Sequence, residues 1–252
     1  MVLQRNFSSP PLVRWLCDRR LAEAGSPPGD LAEQLSTWWG PFDAMTLHAA
    51  HQAMAVAPVS GVPGGGMSPV VWREACDRLR AQLLEDATVH DAPAARGRRP
   101  GGQPPAAAMA EPEIEYAPYQ RRHLQLQRQM ETQVAALRAQ LRQALSSASG
   151  RLRQLALLDA ALEQSMEVRS QKLLAGLPAY LERRFEQLYR ARQQAPGATV
   201  PVHELAGRSL GGHWRSLFEQ EWREVLASEL DCRLQTVVGM IDALSEEVGK
   251  QA

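Results

Sequence analysis

Apolar residues recur at alternating intervals of three and four along the second half of the chain. Met130, Val134, Leu137, Leu141 and Ala144 form one series, and Leu230, Leu234, Val237, Ile241, Leu244 and Val248 form another. That spacing sets each series along one seam of a helix, and a seam of this kind needs another helix to cover it. Helices are therefore expected from near Pro118 to about Ala148, from Arg151 onward, and from around Ser209 to about Val248. The second of these carries Leu152, Leu155, Leu158, Leu162 and Met166 on its inner face, and the Ser146-Ser147-Ala148-Ser149-Gly150 cluster reads as the turn before it. Pro178, with Gly176, marks a kink or a restart, after which Tyr180, Leu181, Phe185 and Leu188 continue an apolar face. Pro196 to Pro201 reads as a loop. Short connections favour antiparallel neighbours, so the three long helices should run up, down and up. Trp214, Phe218 and Trp222 are spaced by four and break the heptad register, which favours a globular or elongated bundle over a long rigid coiled coil.

Residues 5–90 read as a small N-terminal helical region. Ser9 with Pro10-Pro11, and later Ser68 with Pro69, supply a hydroxyl cap followed by prolines where a missing N–H costs nothing. Asp30 is placed to cap a helix bearing Leu31, Leu35, Trp38 and Trp39, and Gly40-Pro41 separates it from a third helix running to about Val56. Residues 58–67, rich in glycine and proline, read as a loop. Residues 91–112 alternate Pro, Ala and Gly with arginine and bury too little apolar surface to offset chain ordering, so they are expected to form a disordered linker. The long-helix bundle then occupies residues 113–250. The fold class expected is all-α, with coiled-coil character in the bundle.

Composition narrows the function classes. Basic and acidic residues balance at 28 each, which removes any global drive towards nucleic acid or an anionic membrane. Arginine supplies nearly all of the positive charge, a bias that fits bidentate carboxylate or phosphate recognition and equally fits a GC-rich genome. Cys17, Cys76 and Cys232 are far apart, offer no disulfide framework or zinc knuckle, and read as small buried hydrophobes in a reducing compartment. No secretory signal and no membrane-spanning run is evident, so the expected location is cytoplasmic.

The segment Ser8-Ser9-Pro10-Pro11-Leu12-Val13-Arg14-Trp15-Leu16 resembles the opening of the proteobacterial domain-of-unknown-function family 3348. Leu31 to Trp38, Tyr116-Ala117-Pro118-Tyr119, Leu155 to Ala160 and Glu182-Arg183-Arg184-Phe185 resemble its later blocks. The resemblance spans nearly the whole chain outside the linker and brings no catalytic residues with it. Members of that family are often encoded beside stator-like and other envelope proteins, so the resemblance implies a role in an envelope-linked assembly.

Candidate chemistry is sparse. His48 and His51 lie three apart and share a helix face, yet no His-Glu-x-x-His pattern or third ligand accompanies them, so no metal site is assigned. The glycines of 61–66 lack the Lys-Ser/Thr ending of a phosphate loop, no serine sits in Gly-x-Ser-x-Gly, and no cofactor motif is present. Trp38 and Trp39 point about 100° apart on a helix, so one enters the core and the other is a candidate interface anchor. Seven arginines lie between residues 121 and 153 against one acid, Glu131, and Arg121, Arg128 and Arg142 repeat at multiples of seven, forming a stripe opposite the seam. Such a stripe can follow a phosphate backbone or pair internally with Glu219, Glu221, Glu224 and Glu229. The expected function is a non-enzymatic interaction or adaptor protein that engages a protein partner or a second copy of itself. The alternative is nucleic-acid binding through the arginine stripe.

Overall fold

A computed structural model describes residues 12, 40–56, 68–88, 115–194 and 213–251. These form six helices and, among the described residues, no strand: α1 (Pro41–Val56), α2 (Pro69–Thr88), α3 (Ala117–Ala148), α4 (Gly150–Leu174), α5 (Leu177–Gln194) and α6 (His213–Gln251). The all-α expectation is met. Trp38, Trp39, Cys17, the linker 91–112 and the loops 58–67 and 196–201 lie outside the described residues.

Local chemistry sets the helix ends. At α2 the Ser68 hydroxyl accepts a hydrogen bond from the Val70 N–H at 3.3 Å, and Pro69 occupies the first helical position, as the cap-plus-proline pattern predicts. The serine cluster after α3 behaves differently from expectation. Ser146 and Ser147 stay helical and donate their hydroxyls to the Arg142 and Gln143 carbonyls one turn back. Ser149 alone leaves the helix, at φ −152° and ψ 162°, and its hydroxyl accepts the Leu152 N–H at 3.2 Å to cap α4. A one-residue turn therefore joins α3 to α4. The break at Ala175-Gly176 is a restart, and α3 holds both of its sides. The Gln127 amide donates to the Leu174 carbonyl at 3.2 Å, and the Tyr116 hydroxyl donates to the Pro178 carbonyl at 2.6 Å. The first satisfies a carbonyl that the end of α4 would otherwise leave unpaired, and the second ties the first turn of α5 to the start of α3.

Helix directions follow from which residues meet. Arg138 meets Asp159 while Glu131 meets Gln171, so α3 and α4 are antiparallel. Tyr119 meets Glu219, Gln127 meets Glu229 and Ser149 meets Glu247, so α3 and α6 run parallel. Arg184 meets Glu221 and Tyr189 meets Trp214, which makes α5 antiparallel to α6. The three strokes are thus α3, then α4 and α5 together, then α6: up, down and up. Helix α2 joins as a fourth member antiparallel to α6, through Arg80 with Asp231 and Arg73 with Asp242. Helix α1 lies antiparallel on the outer side of α4, through Arg169 with Asp43 and Gln154 with the Met54 carbonyl.

Both predicted seams face this interior. Met130, Val134, Leu137 and Leu141 are buried on α3, and Leu230, Leu234, Val237, Ile241 and Leu244 are buried on α6; only Val248, near the end of α6, is exposed. Each fully buried aliphatic side chain is worth about 1.5–3 kcal/mol relative to exposure, so the seams dominate the stability. Trp72, Cys76, Leu83 and Ala87 of α2 belong to the same continuous core, as does Leu12. Where the heptad register slips, aromatic side chains take over. Phe218 stands edge-on to Tyr119 and Phe185, with ring centroids 5.0 and 5.1 Å apart, and Trp214 packs on Phe185 and Tyr189.

Helix α4 departs from expectation. Leu152 is buried, but Leu155, Leu158, Leu162 and Met166 are only half-buried. The side chains that α4 buries are instead Leu152, Ala156, Asp159, Ala161 and Ser165. An ionic contact explains the rotation: Arg138 grips the Asp159 carboxylate with two hydrogen bonds, at 2.8 and 2.6 Å, and turns that side of α4 towards α3.

Candidate interaction crevice

The rotation of α4 leaves an opening in the bundle. Val134, Ala135, Leu162, Met166, Leu174, Cys232 and Thr236 line a crevice of about 640 Å³ between α3, α4 and α6. A smaller chamber of about 250 Å³, lined by Leu124, Gln127, Arg128 and Ala175, continues it past Glu131, Gln171 and Leu174. The larger volume falls in the range of small-ligand and anchor-residue pockets. Its walls are mainly aliphatic, and charged groups stand at its rim.

Most rim charges are neutralised within the chain. Arg138 also meets Glu163, at 3.0 Å, and Arg142 bridges Glu163 and Asp159. Beneath the smaller chamber lies a buried polar knot. Glu229 is fully buried, and both its oxygens accept from the Gln127 amide at 3.1 Å. Arg233 donates to Glu229 at 2.8 Å, and His123 Nε2 lies 3.4 Å from the same carboxylate, within ion-pair reach but outside hydrogen-bond geometry. Burial pushes the Glu229 carboxyl up, yet His123 and the Arg233 guanidinium outweigh it and hold the group below the usual glutamate range. The knot also fixes the end of α4, because the same Gln127 amide holds the Leu174 carbonyl. Nearby, burial and a hydrogen bond to Glu219 push the Tyr119 phenol up to about 12.

Several sequence expectations are corrected here. The arginine stripe does pair internally, but not with the glutamates of α6: Arg138 and Arg142 turn to Asp159 and Glu163, while Glu221 is held by Arg184 and Glu219 by Arg215. Arg121 and Arg128 remain exposed, so Arg142 is separated from them chemically. Neighbouring helices reach one flank of α3, and the stripe straddles its edge. Cys76 is buried as expected, whereas Cys232 is exposed at the crevice wall. Partial burial still pushes its thiol up, with Arg233 opposing that shift. His48 and His51 are exposed on α1, and the described residues hold no group of three side chains suited to a metal. Glu131, Glu167, Gln171 and Cys232 were not singled out by pattern as site residues; the one available signal was Glu131 standing alone among seven arginines.

Among the described residues no helix is long and apolar enough to cross a membrane. What the molecule presents is an all-helical bundle with a lined apolar opening along one stroke. The family model described as "Protein of unknown function (DUF3348)" matches residues 2–246, nearly the whole chain, and the protein belongs to that family. No curated protein and no solved structure matches it.

Proposed function

We propose that this protein is a non-enzymatic interaction or adaptor protein whose working surface is the crevice between α3, α4 and α6. The observation that carries the reading is that Leu162 and Met166, from the apolar face expected to turn inward on α4, are only half-buried and line the crevice with Val134 and Leu174. A lined apolar opening of this kind is what a partner's side chains fill. The partner is another protein or a second copy of this chain. Arg138, Arg142, Glu163 and Arg233 around the opening are committed to ion pairs, which supports binding over chemistry. The reading places the protein in the cytoplasm, where the family resemblance suggests an envelope-linked assembly. The nucleic-acid alternative is weakened because Arg142 and Arg138 are neutralised by α4, leaving Arg121 and Arg128 as a short exposed remnant.

The test is a photo-activatable residue at Ala135, on the crevice wall, and a control at Glu74 on α2, away from the crevice, each irradiated in the native cell. Adducts from position 135 and none from position 74 are expected. Absence of adducts from position 135, together with a strict monomer by size-exclusion chromatography with light scattering, overturns the proposal.

A further inference from the structure

Beside the apolar crevice stands an unneutralised acid pair. The Gln171 amide nitrogen donates to Glu131 of α3 at 2.7 Å and to Glu167 of α4 at 3.4 Å. Two carboxylates from different helices therefore share one neutral amide. Neither has a cation within ion-pair distance among the described residues, although the chain neutralises Asp159, Glu163, Glu221 and Glu229 with arginine. One turn before Glu131 on α3, Arg128 stands without an acidic partner among the described residues. The free charges along the rim thus read positive at Arg128, then negative at Glu131 and Glu167.

The dimensions limit what fits. Along α4 the larger chamber extends from Leu162 to Leu174, about 18 Å at the helical rise. A volume of about 640 Å³ over that length leaves a slot narrower than a whole helix of about 10 Å diameter. The slot accepts a row of side chains from a helix laid across its mouth, at i, i+4 and i+7.

Resting on the crevice reading above, we infer that the partner is an amphipathic helix that places apolar side chains in the slot and a lysine or arginine between Glu131 and Glu167. The basic group takes the position that the Gln171 amide now fills, and an acidic residue about one turn away on the same helix meets Arg128. Rim charges of this kind select among partners and raise the encounter rate more than they add raw affinity.

The experiment uses the full-length chain and two synthetic helices of about 18 residues, each with leucines at i, i+4 and i+7 and with either lysine or glutamate flanking them. Binding is read by fluorescence anisotropy at low and moderate salt. The lysine helix is expected to bind about tenfold more tightly than the glutamate helix, with the gap closing as salt rises. Glu131→Lys with Glu167→Lys is expected to invert the preference, and both substitutions sit on partly or fully exposed positions that leave the core intact. Ala135→Trp, which adds an indole at the exposed wall of the slot where the helix would lie, is expected to abolish both. If Ala135→Trp abolishes binding but the two helices bind equally and the double charge reversal changes nothing, the charge inference is overturned and the crevice reading stands. If neither helix binds, or if Ala135→Trp leaves binding unchanged, the helix-in-crevice assignment itself fails.

Discussion

Replacing Glu229 by alanine should be the most damaging single polar substitution in the molecule. The carboxylate is fully buried and gathers three side chains: His123, also fully buried, Gln127, and Arg233 at 16% side-chain exposure. Removing it leaves a buried guanidinium and imidazole uncompensated, and breaking a buried pair from one side costs about 3–5 kcal/mol. Gln127 keeps its bond to the Leu174 carbonyl, and Arg233 lines the crevice, so partial escape to water sets the loss towards the lower end of that range. Glu229→Gln retains shape and one acceptor oxygen, and should cost about 1.5–3 kcal/mol, the range for hydrogen bonds to a charged group. Urea denaturation followed by tryptophan emission and by circular dichroism reads both. Trp222, whose ring centroid lies 6.4 Å from that of His123, is the tryptophan beside the knot among the six that contribute to the emission. Lower midpoints at an unchanged slope are expected. An alanine variant within about 0.5 kcal/mol of the parent would refute the view that this knot secures the junction of α3, α4 and α6.

The same carboxylate sets an acid limit. Its folded value lies below the ordinary 4.5, so its contribution is complete above the unfolded value and drains away as pH falls through the folded one. The stability gap between the parent and Glu229→Gln should therefore shrink below pH 4.5, as midpoints measured across the acid range will show. Leu83→Ala should cost about 2–5 kcal/mol and lower the unfolding midpoint of the entire bundle, since Leu83 is fully buried in the shared core; a separate early transition confined to α2 would contradict that. Ser149→Ala should cost about 1 kcal/mol by removing the cap of α4, against no change if the one-residue turn is held by packing alone.

Most of the helical framework was legible because its determinants are local. The seams from Met130 to Leu141 and from Leu230 to Leu244 declare their buried faces by spacing alone, and Pro178 marks the restart through a missing N–H. The α3–α4 turn falls within the serine cluster, at Ser149, but it is a single residue because Ser146 and Ser147 bond back into the helix, a choice that composition does not reveal. The face of α4 was misassigned for a longer-range reason. Its leucine stripe is the more hydrophobic, but the grip of Arg138 on Asp159 turns the helix, and that pair is 21 residues apart in the chain. The buried role of His123 was equally invisible, because it depends on Glu229 of α6 arriving alongside. The crevice follows from the turned α4, so no pattern within one helix could have exposed it.

Occupancy of that crevice is measured most directly at Cys232, the exposed thiol on its wall. In a Cys17→Ser background, with Cys76 buried, alkylation of Cys232 is compared between intact native cells and the purified chain at equal reagent concentration. Protection in cells that disappears on purification is the predicted result. Equal labelling rates in the two settings would contradict the claim that another molecule fills the opening between α3, α4 and α6.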